Sequence, residues 1–135
     1  MIAIRKIDHL VLRTTDVARM VRFYDEVLGC RIERTLPPET GLTQLRAGDA
    51  LIDIVAVDSK LGRAGGGPPG RSGNNLDHFC LELQHIGQQE LHSWLVSHGV
   101  ECGEFETRYG AGGFGPSIYI EDPDGNIIEL RPESS

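Results

Sequence analysis

The sequence predicts an α+β fold in which one strand–helix–three-strand unit occurs twice. The stretch Ile-Asp-His-Leu-Val-Leu at residues 7–12 is echoed by Leu-Asp-His-Phe-Cys-Leu-Glu-Leu at residues 76–83. In both, an alternating apolar run follows Asp-His, which is typical of a strand. Each stretch then precedes a segment with helical apolar spacing that ends at a glycine, Gly29 in the first half and Gly99 in the second. Such self-similarity indicates two copies of one supersecondary unit.

In the first half, the elements follow in the order strand, helix and three strands. The helical segment has apolar residues at 3–4-residue spacing, and Gly29 suits the position just after a helix end. Two later strands are joined by a tight Gly48-Asp49 turn. The predicted bounds are 7–13 for the first strand, 17–28 for the helix, and 31–36, 42–47 and 50–57 for the three strands that follow.

Residues 58–75 separate the halves and differ in composition, since they contain Gly-Gly-Gly-Pro-Pro-Gly and end in Ser-Gly-Asn-Asn. This composition predicts a linker without regular structure. The second half repeats the order of the first, with Asp-Pro-Asp-Gly as its last hairpin turn. Trp94 is predicted to lie in the core. The predicted bounds are 76–83, 100–105, 117–121 and 126–131 for strands, 87–98 for the helix and 107–115 for an irregular glycine-rich segment.

Four side chains occupy equivalent places in the two halves. His9 and His78 lie in the first strand of each half, and Asp53 and Glu129 lie inside an apolar strand that closes it. An ionised carboxylate is costly to bury unpaired, so these positions favour a ligand role. If the two copies pack about a pseudo-twofold axis, all four side chains converge on one point. Two imidazoles and two carboxylates suit a divalent metal ion.

Length and composition restrict the class of protein. A chain of 135 residues is long enough for one domain with a real core. The net charge of −7 argues against nucleic acid and against an anionic membrane surface as partners. No apolar run approaches the roughly 20 residues of a membrane span. The three cysteines, Cys30, Cys80 and Cys102, match no disulfide or zinc-finger spacing. We therefore expect a reducing, cytoplasmic location.

Two motifs carry a resemblance to a known family. Phe-Tyr-x-x-Val-Leu-Gly at residues 23–29, and Asp-Pro-Asp-Gly-Asn followed by Ile-Ile-Glu-Leu at residues 122–130, resemble the vicinal oxygen chelate superfamily. Glyoxalase I, extradiol dioxygenases and fosfomycin resistance proteins belong to it. The resemblance implies paired βαβββ modules that form an incomplete barrel around a metal site. It predicts one glyoxalase-like domain over residues 1–135, with modules at 7–57 and 76–131 joined by the linker 58–75.

The resemblance also implies a ligand set and a reaction. His9, Asp53, His78 and Glu129 match the four metal positions of glyoxalase I, with Asp53 where that family has Glu. The implied function is a metal-dependent lyase or isomerase that acts on a small carbonyl substrate through a metal-bound enediolate. Glu129 is then the catalytic base, with Asp53 on the opposite side of the metal. Ni²⁺ or Zn²⁺ is the expected ion, and Mn²⁺ and Fe²⁺ remain alternatives.

Three further residues are candidates for substrate contact by resemblance. Arg13 matches an Arg that meets the glutathione carboxylate in glyoxalases, and Ser117 and Tyr119 match residues that reach substrate oxygens in fosfomycin proteins. The alternatives are an Fe(II)-dependent dioxygenase, a fosfomycin-type resistance protein and a non-catalytic module that binds a small ligand. Fosfomycin proteins have Thr where this chain has Val11. The resemblance further predicts a homodimer, since sheet edges need covering.

Overall fold

The computed structural model describes residues 1–133 of the chain. It divides into two compact units, Met1–Gly70 and Arg71–Ser135, and the boundary falls inside the predicted linker. Each unit contains one four-stranded mixed sheet, so the predicted α+β fold with paired βαβββ modules is confirmed. None of the described helices combines the length and the apolar character that crossing a bilayer requires.

The first unit has the strand order β1-β4-β3-β2, with β1 parallel to β4 and the other neighbours antiparallel. Its helix contacts β4. Met20 and Tyr24 of this helical segment are fully buried, as are Leu45, Ile52 and Ile54 of the sheet. The bounds are β1 His9–Thr14, α1 Val17–Arg22, a π-helical turn Phe23–Val27, β2 Arg31–Thr35, β3 Leu42–Ala47, β4 Ala50–Ala56 and a 3₁₀ turn Arg63–Gly65.

The second unit repeats this topology, with the order β5-β8-β7-β6 and with β5 parallel to β8. The hairpin turn before β8 is confirmed, because the Gly125 amide donates to the Asp122 carbonyl and Gly125 has a φ of 84°. The bounds are β5 Phe79–Leu83, α2 Gln88–Ser97, β6 Glu106–Gly110, β7 Gly113–Glu121 and β8 Ile127–Pro132.

The segment between α2 and the last strands differs from the prediction. Residues 100–105 contain only an isolated bridge between Cys102 and Ile120, whereas the segment 107–115, predicted to be irregular, supplies most of β6 and the first three residues of β7. The glycines that suggested irregular structure are accommodated in a β-hairpin, with Gly113 at a φ of 97°. Local composition did not reveal this pairing. Two of the glycines, Gly110 and Gly115, lie against the side chain of Arg131, which is distant in the sequence.

The prediction that Trp94 lies in the core was wrong, whereas the helix predicted over 17–28 is confirmed as a helical segment over Val17–Val27. Trp94 is 46% exposed, and Leu91 and Leu95 are the buried residues of α2. The Trp94 ring instead lies 4.2 Å from the His98 ring, centroid to centroid. The first helix is α-helical only as far as Arg22 and continues as the π-helical turn.

The linker is anchored to the first unit by Arg13. Its Nε donates to the Gly62 carbonyl at 2.9 Å, its Nη1 to the Gly67 carbonyl at 3.1 Å, and its Nη2 to the Gly66 carbonyl. The ideal position of a Cβ on Gly65 lies 2.2 Å from the Arg13 Nε, so this approach requires glycine. The linker is therefore tied down by the residue that was predicted to bind a substrate anion.

We expect Arg13→Ala to expose the linker to proteolysis. Three hydrogen bonds worth about 1 kcal/mol each are removed, and cleavage of a transiently opened segment follows the population of the open form. Tryptic cleavage after Arg63 should accelerate at least about tenfold, which corresponds to roughly 1.4 kcal/mol. Arg46→Ala is the matched control, because Arg46 pairs with Glu33 elsewhere in the same unit. Equal cleavage rates in the two variants would contradict the anchoring role.

Candidate functional site

In the first unit, His9 and Asp53 lie on the same face of the sheet. β1 and β4 are parallel, with Val11 opposite Asp53 and His9 opposite Leu51. Because side chains alternate between the two faces of a strand, His9 and Asp53 are diagonal neighbours on one face. The His9 Nδ1 lies 2.7 Å from the Asp8 Oδ2. This hydrogen bond raises the pKa of His9 above its usual value, and the negative charge of Asp53 acts in the same direction.

Asp53 is a buried carboxylate with an unsatisfied oxygen. The Gln44 Nε2 donates a hydrogen bond to the Asp53 Oδ2 at 3.2 Å, and Asp53 is 4% exposed. The other oxygen, Oδ1, is buried and has no hydrogen-bond partner among the described residues. A buried acceptor without a partner costs about 1–3 kcal/mol, and more when the group is charged. The donor set of this half, an imidazole and an unsatisfied carboxylate oxygen, therefore fits a divalent cation.

In the second unit, His78 and Glu129 are in direct contact. The His78 Nε2 lies 3.2 Å from the Glu129 Oε1, and Glu129 is 7% exposed. Two ligand atoms at this separation can each lie about 2.1 Å from one ion. The His78 Nδ1 lies 2.7 Å from the Asp77 Oδ2, which repeats the arrangement of His9 and Asp8. This half also fits a divalent cation.

Tyr119 and Cys80 lie beside Glu129. Both are its register partners, Tyr119 on β7 and Cys80 on β5. The Tyr119 ring meets the His78 ring edge to face, with centroids 5.2 Å apart. Burial raises the pKa of the Tyr119 phenol, and the charge of Glu129 adds to this. Tyr119 therefore stays a hydrogen-bond donor at neutral pH. Burial, with the Glu129 charge second, raises the pKa of the Cys80 thiol to about 11, so Cys80 is a poor nucleophile.

Ser117 is fully buried and its oxygens are already engaged. The Arg108 Nη1 donates to the Ser117 carbonyl at 2.7 Å and to its Oγ at 3.0 Å. The Arg108 guanidinium also lies over the Tyr119 ring, 4.4 Å from the centroid, and its Nη2 donates to the Glu106 carboxylate at 2.6 Å. Sequence reasoning missed Arg108, because the glycine-rich segment that contains it was not recognised as a strand.

Arg131 accounts for two glycines of the β6–β7 hairpin. Its guanidinium is buried and donates to the carbonyls of Arg108 and Gly113. The ideal position of a Cβ on Gly110 lies 3.0 Å from the Arg131 Nη1, and a Cβ on Gly115 lies 3.1 Å from its Nη2. The glycines therefore leave room for a buried guanidinium.

We expect Gly110→Ala to destabilise the protein by about 1–3 kcal/mol, as overpacking does. The added methyl group crowds a guanidinium that is buried and held by two carbonyls. Gly112→Ala is the control in the same hairpin, because no atom of the described part of the chain lies within 4 Å of its Cβ position beyond its own neighbours. It should change the free energy of unfolding by less than about 1 kcal/mol. Chemical denaturation of both variants measures the difference, and equal losses would contradict the role of Arg131.

The structure thus brings the predicted residues together in pairs. Asp53 lies on the His9 face in the first unit, and His78 contacts Glu129 in the second. Within residues 1–133, no group of three or more His, Cys, Asp or Glu side chains is placed to hold a metal ion. Sequence reasoning missed two kinds of contact: the carboxylates of Asp8 and Asp77 on the two histidines, and the amide of Gln44 on Asp53. The repeated Asp-His doublet was the available signal for the first kind.

Fold and site define a class of protein: paired βαβββ modules, each with a buried carboxylate on its last strand and a histidine at its first. His9 begins β1, and His78 lies just before β5, which starts at Phe79 and not at 76 as predicted. The chain belongs to the glyoxalase/bleomycin resistance protein/dioxygenase superfamily, whose family model matches residues 6–130. It is 30% identical over 128 residues to the virulence protein STM3117 of Salmonella typhimurium, covering 94% of this chain and 83% of that protein. The crystal structure of STM3117 matches with a TM-score of 0.73 and 28% identity over 98% of this chain and 100% of that chain.

Two further solved structures share the fold, one of a resistance protein and one of an enzyme. The fosfomycin resistance protein FosX from Listeria monocytogenes matches with a TM-score of 0.69 and 20% identity, covering 98% of this chain and 96% of its own. The lactoylglutathione lyase from Agrobacterium tumefaciens matches with a TM-score of 0.66 and 21% identity, covering 94% of this chain and 92% of its own. At these identities the two structures show a common fold and no more.

Proposed function

We propose that the protein is a metal-dependent, glyoxalase-like lyase or isomerase that acts on a small carbonyl substrate. The observation that supports this most is the pairing of a histidine with a carboxylate in each unit, where one carboxylate has a buried oxygen without a hydrogen-bond partner in residues 1–133. His9 and Asp53 would supply one half of the ligand set, and His78 and Glu129 the other. Ni²⁺ or Zn²⁺ suits these donors, and Mn²⁺ and Fe²⁺ are the alternatives.

When bound, the ion supplies a Lewis acid for two adjacent oxygens of the substrate. The chain's own residues do the rest of the work. A carboxylate oxygen of Glu129 takes the proton from the carbon α to the carbonyl, and its burial keeps bulk water from competing. The phenol of Tyr119, beside Glu129, is placed to donate a hydrogen bond to a substrate oxygen. Gln44 holds one oxygen of Asp53 so that the other stays directed to the cation.

The three proposed substrate contacts differ in availability. Tyr119 is half-buried beside His78 and Glu129, and its hydroxyl interacts with the Glu129 carboxylate, which is itself a proposed ligand. The hydroxyl of Ser117 already accepts from Arg108, and each guanidinium nitrogen of Arg13 donates to a linker carbonyl. A role for Ser117 or Arg13 in binding substrate requires these hydrogen bonds to be exchanged. Tyr119 is therefore our first candidate for substrate contact.

Metal analysis of the purified protein, followed by a turnover screen, tests the proposal. We expect a divalent metal near one ion per chain, and turnover of a 2-oxoaldehyde in the presence or absence of a thiol. Metal-free protein that takes up no added Ni²⁺, Zn²⁺, Mn²⁺ or Fe²⁺ would refute the proposal. An oxygen-sensitive protein loaded with iron would favour the dioxygenase. Turnover of fosfomycin, or a tight ligand complex without product, would favour the resistance protein or the binding module.

A homodimer in a single-domain, cytoplasmic protein is part of the proposal. Each sheet has two edge strands, β1 and β2 in the first unit and β5 and β6 in the second, and edge strands need covering. We expect analytical ultracentrifugation at micromolar concentration to give twice the mass of the chain. A species with the mass of one chain would contradict the dimer.

A further inference from the structure

The two Asp-His doublets share one local geometry. In each unit, the aspartate that precedes the histidine places its Oδ2 2.7 Å from the histidine Nδ1. The aspartate side chains are exposed, 77% for Asp8 and 91% for Asp77. An exposed carboxylate can hydrogen-bond to water instead of to the histidine. The same Asp–His contact in both units therefore indicates a common role.

The contact selects one tautomer of each histidine. A carboxylate accepts a hydrogen bond but cannot donate one, so the Nδ1 of the neutral ring must carry the proton. The other nitrogen, Nε2, is then left with a free lone pair. In the second unit this Nε2 is the atom that faces Glu129, at 3.2 Å. A lone-pair nitrogen and a carboxylate oxygen are both acceptors, so this approach suits a cation bound by both atoms.

We propose that Asp8 and Asp77 are positioning residues, which hold His9 and His78 in the Nδ1–H tautomer so that each Nε2 is presented as a metal ligand. This inference rests on the proposed function and deepens it. Partners of this kind orient a ligating imidazole and raise its basicity, and their loss typically lowers metal affinity 10–100-fold, by a rough central estimate. The competing explanation is an ordinary surface ion pair, which contributes little to stability and would not affect metal binding.

Metal affinity separates the two explanations. Zn²⁺ binding to metal-free protein is measured by competition with a chromophoric chelator. We expect Asp8→Ala and Asp77→Ala each to lower the affinity about 10–100-fold. Asp8→Asn and Asp77→Asn should lose less, because the amide oxygen still accepts from Nδ1–H. Asp49→Ala is the control for the change of one charge: it is exposed, lies in a turn of the first unit and should leave the affinity unchanged.

Nitrogen NMR of the imidazoles gives a readout without metal. The measurement is made on His9 in its neutral form, because His78 also contacts Glu129. We expect the Nδ1–H tautomer in the unmodified protein and in Asp8→Asn, and a shift toward Nε2–H in Asp8→Ala. An unchanged tautomer in Asp8→Ala, or Zn²⁺ affinities of both Ala variants equal to that of Asp49→Ala, would overturn the inference. Absence of Zn²⁺ binding to the unmodified protein would instead overturn the proposed function, and the tautomer of His9 would still test what Asp8 does.

Discussion

His78→Ala and Glu129→Gln are each expected to reduce bound divalent metal to well below one ion per chain while the fold survives. The two side chains meet at 3.2 Å, and each would supply one of the four protein ligands. Loss of a residue that hydrogen-bonds to a ligand lowers metal affinity roughly 10–100-fold, and loss of the ligand itself should lower it further. Gln has almost the shape of Glu, so Glu129→Gln removes the charge and leaves the packing of β8 in place.

Matched controls are available on α2 of the same unit. His92 and Glu90 are both exposed, and His92→Ala and Glu90→Gln make the same chemical changes away from β5 and β8. Metal content measured by elemental analysis, together with circular dichroism, compares the four variants. One ion per chain in the His78→Ala protein would remove His78 from the ligand set and with it the site as proposed.

Asp53→Ala is expected to bind metal more weakly than the unmodified protein and to retain some affinity through the other three ligands. Asp53→Glu should keep both the metal and the fold, because glyoxalase I, which the chain resembles, has Glu at this position. The physical reason lies in Asp53 Oδ1, which is buried and has no hydrogen-bond partner among the described residues. A cation would relieve this unfavourable desolvation.

Thermal unfolding with and without metal measures the effect. A ligand that binds only the folded state raises the melting temperature, and at a fixed ligand concentration the increase grows with the logarithm of the affinity. The increase on adding Zn²⁺ should be large in the unmodified protein and in Asp53→Glu, and small in Asp53→Ala. Asp58→Ala is the control, since Asp58 is an exposed carboxylate just beyond β4. An unchanged increase in Asp53→Ala would show that Asp53 is not a ligand.

A metal-bound structure gives the final test of Asp53. An Asp53 carboxylate beyond roughly 3 Å from the metal lies outside normal oxygen–metal distances. His9, His78 and Glu129 would then form a set of two histidines and one carboxylate, which is the ligand set of non-haem iron oxygenases. That result would move our preference from the lyase to the dioxygenase.

Local pattern determined the repeat, the class of fold and the membership of each sheet face. Strand periodicity is a property of neighbouring residues, so the face that Glu129 shares with Ile127 and Arg131 follows from alternation once β8 is found. Turn chemistry is local too, which is why the Asp-Pro-Asp-Gly hairpin was predicted at its observed place. The two Asp-His doublets were found from the sequence repeat, because each precedes an apolar run.

Contacts between residues far apart in the chain were decided by the tertiary structure alone. The hairpin of β6 and β7 forms where composition predicted irregular structure, and two of its glycines, Gly110 and Gly115, leave room for Arg131 of β8. Arg13 binds linker carbonyls about 50 residues away instead of remaining free. Gln44 reaches Asp53 because β3 and β4 pair in that register. Hydrogen bonds of this kind depend on which strands and loops meet, and no periodicity along the chain encodes that meeting.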